Sequence, residues 1–393
     1  MIHRHKKIKY DKQFFYGVAL LVGTIVGVGL FGLPFIALQS SFWVMIAYFS
    51  VMTVGVVLLH HFYAEIGVHS KEKHHLPGHA EKYLGKWAKH ITAFSESFGI
   101  FGAQLAYLIV GGGFLAQLFN QPSSHTYLYV MIFFTIGAIL IWKGFKSVVE
   151  TEFIILMLLG IMIISFFIFS IFKGTYNPIS IGIHENSWAP YGVILFSLWG
   201  LAILPEIIEL FPKQEKKVNR VTFLGVTISA LVYIMFIWSV LRLSGGVTST
   251  DSLSGLQPFL PSVLYKFGLV FGLLTTFTSF LALGLAIKKL FMEDYHLPKS
   301  TSWFIAMGVP LLFYFMGFDN FLSAISISGS IGFTISGVVI FLIYLKLKKR
   351  VEKKPDAERV IHHKFFTHTG VIITLIILAV VGGIISIFFE LTK

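Results

Sequence analysis

Segments of roughly 17 to 25 mostly apolar residues, the length of helix that crosses a hydrocarbon core of ~30 Å, recur along this whole chain. Eleven can be placed, at 14–38, 41–63, 92–119, 126–142, 148–172, 189–211, 221–243, 265–287, 302–317, 321–345 and 366–389. A soluble fold cannot bury so many helices that are apolar all round, so the chain reads as an all-α integral membrane protein. Composition agrees: 55% of its 393 residues are hydrophobic, 13% are charged and 41 are phenylalanine. The first segment is too long for a signal-peptide core and has no small-residue cleavage site behind it, so it is expected to stay as a span. The longest polar stretches, 64–91 and 346–365, are too short for a sizeable soluble domain.

A net charge of +12 invites a nucleic-acid reading, but the basic residues are distributed as a topology signal. With the N-terminus inside, all but Lys173, Arg242, Lys266 and Lys393 of the 31 lysines and arginines fall in inner segments. That is the positive-inside pattern. It predicts a multi-pass protein of the cell membrane with a cytoplasmic N-terminus (1–13), a basic cytoplasmic loop (346–365) and an external C-terminus after the last span (366–393). Its partners are then the lipid bilayer and a small molecule, with no nucleic acid. Nothing in the sequence sets an oligomeric state. The absence of cysteine removes disulfides, thiolate metal sites and cysteine nucleophiles. No HExxH, GxSxG or pair of catalytic carboxylates is present, so an enzyme is not expected.

The first span contains GTIVGVGLFGLPF, residues 23–35, with four glycines and a proline. Gly27, Gly29 and Gly32 spell the dinucleotide-binding pattern GxGxxG, yet no strand precedes it and no acid follows until Glu65. Gly23 and Gly27 also form GxxxG, which by itself reads as close helix packing. The sixth span carries an echo, FSLWGLAILPE: Gly200 stands five residues before Pro205, as Gly29 stands five before Pro34. Paired interruptions in two halves of a membrane chain point to an inverted-repeat transporter with its site at the midplane. A break frees amides and carbonyls that cost several kcal/mol each in hydrocarbon unless something polar meets them. Amides opening the outer half-helix near Gly27–Gly29 suit a carboxylate, and carbonyls ending the inner half suit a cation or ammonium group.

These stretches resemble the amino acid/polyamine/organocation superfamily of permeases, above all its amino acid/auxin and aromatic amino acid permease branches. AYLIVGGGFL, TSFLALGLAIKKLFMEDYHLPK and SISGSIGFTISGVVIFLIYLKLKK are similar to the third, eighth and tenth helices of that family, in the same order. The resemblance implies a LeuT-type fold, with 14–172 and 189–345 as inverted repeats, broken helices 1 and 6, and a peripheral eleventh helix. It implies alternating-access transport of an amino acid. The expected substrate is neutral, and large apolar or aromatic side chains fit an aromatic gate beside glycine-rich walls. The backbone at Thr24, Ile25, Gly27, Val28 and Gly29 would take the charged ends and Phe196 would be the gate. Ser197, Trp199 and Gly200 would line the sixth-span break, and Tyr107 and Leu283 would face the side chain. Many relatives carry an acid after the third-span glycine where this chain has Gly111, Gly112 and Gly113, which either widen the pocket or pack helices closely.

Coupling has two readings. The resemblance implies a sodium site built from Thr278, Ser279 and the Thr275 carbonyl with the Gly23 and Val26 carbonyls; hydroxyls bonded back to their own helix are the plainer reading. No lysine stands inside span 5, which favours sodium over the proton-coupled pattern. Glu206 is the proton-coupling candidate, although after Pro205 it also complements a helix dipole. Sodium aside, no cofactor is expected. Glu96, Glu150 and Glu152 read as inner-gate or interfacial acids. The histidines at 69, 74, 75, 79, 90 and 184 read as solvated loop residues rather than a zinc site. Trp43, Trp142, Trp188 and Trp303 read as interfacial anchors, and 245–262 as an outer lid. Two alternatives remain, a sensor that binds an amino acid without transport and a carrier of another small organic cation such as a polyamine.

Overall fold

In lipid a helix satisfies its own backbone, and helices account for all regular structure among the described residues of the computed structural model: 2–70, 75–122, 125–144, 148–180, 186–212, 214–352 and 368–392. The first half holds α1 (Ile2–Ile25), α2 (Gly29–Ser40), α3 (Phe42–His69), α4 (Leu76–Leu84), α5 (Lys86–Leu118), α6 (Thr126–Lys143) and α7 (Val148–Lys173). The second holds α8 (Pro190–Leu198), α9 (Leu204–Leu210), α10 (Glu215–Leu243), α11 (Leu253–Leu256), α12 (Ser262–Glu293) and α13 (Lys299–Phe315). α14 (Phe321–Ile327) runs through a π-helical turn, Ser328–Phe333, into α15 (Thr334–Glu352), and α16 is Thr369–Leu391.

Among the described residues nine helices are long and apolar enough to cross a membrane, and the bent pair α1–α2 makes a tenth. The one expected span not among these, 302–317, the ninth in order, is α13, whose 17 residues include Pro310. At 1.5 Å per residue it rises about 25 Å, the lower limit for a crossing. The expected first span is broken, as its glycines and proline predict, into two helices bent by 57°.

The bundle is built around α10, which packs on α1, α2, α3 and α7, and α12, which packs on α5, α6, α7 and α13. Aromatic edges fill the gap between them: the Phe31 ring meets Phe114 at 5.0 Å and Phe236 at 6.1 Å, both edge-on. Large apolar side chains such as Val51, Phe94, Ile136 and Phe388 point outward, as a bilayer-facing surface requires. The glycine triplet serves packing. A Cβ on Gly112 would lie 2.7 Å from the Val130 Cα, and one on Gly111 would strike the Phe133 ring, so α5 meets α6 almost backbone to backbone.

The polar segment 245–262 folds as turns and the short α11. Its Ser252 hydroxyl donates to the Phe31 carbonyl of α2 at 2.5 Å. Asp251 organises the segment, accepting from the Ser249 hydroxyl at 2.5 Å and from the amide and hydroxyl of Ser254. The expected lid is thereby fastened to the half-helix that follows the first break.

Candidate functional site

The first break is a three-residue gap, Val26 to Val28, between α1 and α2. The Gly27 amide turns back to the Ile25 carbonyl at 2.9 Å, and the Leu30 and Phe31 amides reach the Gly27 and Val28 carbonyls at 3.2 and 3.1 Å. In the second, α8 ends at Leu198 and a 3-10 turn, Leu201–Ile203, leads into α9. Both breaks leave backbone groups that the flanking helices do not absorb.

The two breaks touch, and glycine is what lets them. A Cβ on Gly29 would overlap the Ser197 hydroxyl and lie 3.1 Å from the Ser197 Cα, while one on Gly200 would meet Leu21 and Ile25 at 2.8 Å. Ser197 and Gly200 therefore form the contact between the breaks rather than a cavity wall. The Ser197 hydroxyl is turned back to the Val193 carbonyl at 2.7 Å.

Above this contact Tyr233 of α10 is fully buried. Its hydroxyl donates to the Ile25 carbonyl at 2.5 Å and to the Ser197 carbonyl at 2.8 Å, one from each broken span. A single proton is shared by two carbonyls freed by the breaks. Nothing in the sequence singles out this tyrosine, because its role depends on which way α10 is rotated.

Beside the breaks lies a cavity of about 40 Å³, room for roughly three water molecules. It is walled by Thr24, Ile25, Gly27, Val28 and Gly29 from the first break and by Phe196, Trp199 and Ala202 from the second. Tyr107, Leu283 and four residues that sequence reasoning missed, Glu96, Ile100, Ala103 and Phe333, complete it. Three of those four were within reach: Glu96, Ile100, Ala103 and Tyr107 are spaced i, i+4, i+7, i+11, a single face of α5. Phe333 sits on the π-helical turn, where helical periodicity shifts and gives no such guide.

The acids are placed differently from the sequence reading. Glu96 of α5 reaches the cavity, whereas Glu206, in the first turn of α9, has a half-exposed side chain 3.9 Å from the Lys289 ammonium. Glu150 and Glu152 lie outside the residues whose side chains are described. Outside the spans, Glu81 of α4 accepts from Lys89 at 2.7 Å, and that bond holds its carboxyl below the ordinary range.

Of the expected ion ligands on α12, Ser279 lies against the first break. Ser279 has its hydroxyl 3.3 Å from where a Gly27 Cβ would stand. The Ser279 and Thr275 hydroxyl oxygens are buried without a hydrogen-bond partner among the described residues. Thr278 donates to the Thr275 carbonyl at 3.2 Å, the back-bonded arrangement. Gly23 stands in the last turn of α1 and Val26 in the gap itself. The unpartnered buried hydroxyls of Thr275 and Ser279 are hard oxygen donors of the kind sodium takes.

Of the histidines, His75 meets Glu293 at 3.2 Å, His90 meets Tyr295 at 3.2 Å, and His79 packs edge-on to Tyr63. The side chains of His69, His74 and His184 lie outside the described residues. No three metal-binding side chains converge among the described residues. Trp43, Trp142 and Trp188 are about half exposed, and the Trp303 indole donates to the Ala138 carbonyl at 2.9 Å.

Two broken helices crossing at a central cavity inside a helical bundle define a class, the LeuT-type transporter fold. The crystal structure of MhsT in complex with L-phenylalanine superposes with a TM-score of 0.68 over 95% of this chain and 98% of that one, at 14% identity. A manganese transporter of Eremococcus coleocola, solved in complex with an aromatic bis-isothiourea substituted compound, superposes at 0.65 over 97% and 87%, at 11% identity. Within that class, the chain belongs to the tryptophan/tyrosine permease family, whose model matches residues 10–385. A curated relative, the tryptophan-specific transport protein of Haemophilus influenzae, is 23% identical over 262 residues. That match spans 60% of this chain and 59% of the relative's length.

Proposed function

We propose that this protein is a secondary active transporter of aromatic amino acids, tryptophan or tyrosine, working by alternating access. The observation that carries the reading is the cavity itself, where backbone freed by two breaks meets the aromatic walls Tyr107, Phe196, Trp199 and Phe333. Amides opening α2 provide a positive dipole end for the substrate carboxylate, and carbonyls closing α1 suit its ammonium group. Family membership and the named activity of the Haemophilus relative support the same substrate class. The halves 14–172 and 189–345 act as inverted repeats, and the family stands nearest the amino acid/auxin and aromatic permease branches of its superfamily.

Coupling is assigned to sodium, held by the Thr278 and Ser279 hydroxyls and the Gly23, Val26 and Thr275 carbonyls. A bound sodium ion supplies positive charge that fastens the first break to α12. The unpartnered Ser279 hydroxyl facing that break favours this set. A proton-coupled reading has its own observation, the Glu96 carboxyl in the cavity wall, which makes Glu96 a second candidate beside Glu206.

The test is uptake into proteoliposomes, together with thermal shift of purified protein against the twenty amino acids with and without sodium. A ligand at 100 times its Kd stabilises by about 2.7 kcal/mol, a readily measured shift. Tryptophan and tyrosine are expected to stabilise most, and a sodium gradient to drive uptake that Thr278→Ala with Ser279→Ala abolishes. Stabilisation by no amino acid would overturn the transport reading. Full uptake from a pH gradient in sodium-free buffer would transfer coupling to Glu96 or Glu206.

A further inference from the structure

The central cavity is far too small for the substrate class proposed for it. About 40 Å³ holds a few waters, and a tryptophan side chain needs several times that. Space lies next door. A second, almost wholly apolar space of about 430 Å³, a groove open to the lipid-facing surface at Val51, Leu378 and Val381, lies between α3, α8, α15 and α16, and Trp199 and Phe333 line both it and the central cavity. These two rings form the partition, stacked with centroids 4.6 Å apart and planes within 4°.

Phe333 is a buried ring at a break in helical regularity. It ends the π-helical turn Ser328–Phe333, a local irregularity in an otherwise helical span. Its ring lies in a seat left by Gly99, whose added Cβ would come within 2.5 Å of it. On its other side it stacks on Phe196 at 5.9 Å, another wall of the central cavity.

We infer that Phe333 is an internal stand-in for the substrate: the aromatic ring of the bound amino acid displaces it from Trp199 and takes its stacking position, while the Phe333 side chain swings into the neighbouring apolar groove. This rests on the aromatic amino acid reading above. It makes Trp199 the recognition surface, Phe333 a competitor and the apolar groove the receiving space. Selectivity rests on the stack with Trp199. A planar aromatic ring restores the stack that Phe333 gives up, and an aliphatic side chain does not. The cost of displacing Phe333 is then borne in full by leucine or valine and recovered by tryptophan.

Equilibrium binding of tryptophan, phenylalanine and leucine to purified wild type, Phe333→Ala and Ala379→Phe separates the possibilities. Ala379 lines the apolar groove away from the central cavity, so phenylalanine there fills the receiving space. Phe333→Ala is expected to bind tryptophan at least about threefold more tightly, since the competing state is gone, and leucine more tightly by a similar factor, because the cost removed is common to both. Ala379→Phe is expected to weaken tryptophan binding about tenfold or more by blocking the exit of Phe333. If wild type binds none of the three, the transport reading fails. If it binds tryptophan but Phe333→Ala binds it no more tightly and Ala379→Phe binds it unchanged, the displacement inference is overturned and the transport reading stands. A melting curve in ligand-free buffer identifies any variant that has lost its fold, and Ala379→Phe, placed beside lipid-facing residues, carries the test should Phe333→Ala be that one.

Discussion

Tyr233 shows what a single hydroxyl does at a helix break. It does not line the cavity, yet it supplies the proton for the Ile25 carbonyl at the cavity wall and the Ser197 carbonyl at the contact between the breaks. Tyr233→Phe would keep the ring against Phe49, take this donor from the buried Ser197 carbonyl and leave the Ile25 carbonyl with only the Gly27 amide. An unsatisfied buried polar group costs about 1–3 kcal/mol, so the variant is expected to melt measurably lower than wild type. Transport should suffer more than affinity, because the bond ties the inner half of the first broken span to the outer half of the second. A maximal uptake rate reduced severalfold with tryptophan binding nearly unchanged is the expected split; an unchanged rate would reduce Tyr233 to a packing residue. Residue by residue, the sequence showed the backbone of the site through Gly29 and Gly200, whose spacing to Pro34 and Pro205 repeats. Polar side chains were less legible. Glu206 drew attention by its place beside Pro205, Glu96 was read as an inner-gate or interfacial acid and its place in the cavity follows only from counting back along α5 from Tyr107, and the rotation of α10 hid Tyr233 altogether.

Among whole elements, glycines divide into those that carry a contact and those that do not. The run Gly111, Gly112 and Gly113 reads in sequence either as a widened pocket or as close packing, and periodicity cannot choose. Geometry does, since neither Gly111 nor Gly112 borders the cavity and both lie against α6. At Gly112 the obstruction is backbone, with the Val130 Cα and N at 2.7 and 2.9 Å from an added Cβ, so no side-chain rotation relieves it. Gly112→Ala is expected to cost about 1–3 kcal/mol by overpacking. Gly113→Ala meets open space and should be neutral, or stabilising by up to about 1 kcal/mol through helix propensity. Thermal unfolding of the two variants in one detergent compares them directly, and equal melting temperatures would refute the backbone contact between α5 and α6. The π-helical turn is the element no sequence pattern exposed. Its serines and glycines, SGSIGF, suit close helix packing equally well, and a π turn differs only in which carbonyl each amide finds.

For the molecule as a whole, the charge pattern and the helix count bear on the same unknown, the side on which α16 ends. Ten crossings put both ends of the chain on one side, and eleven put them on opposite sides. The difference is α13, short at 17 residues and carrying Pro310. Three features argue that it crosses. A 17-residue apolar helix is within the range that tilt and local bilayer thinning accommodate. It packs along α12 and α5, both of which span. With α13 crossing, the cluster Lys346, Lys348, Lys349 and Arg350 at the end of α15 falls on the same side as Lys12, as the positive-inside rule asks. Since the chain has no cysteine, the test needs no background removal. Gln13→Cys and Thr392→Cys, each as the sole thiol, are exposed in intact cells to a membrane-impermeant maleimide. Thr392→Cys is expected to label from outside and Gln13→Cys only after the membrane is opened. Labelling of both from the same side would mean ten crossings with α13 lying short of the far interface, and the basic residues of α15 would then stand on the wrong side for the rule that oriented the chain.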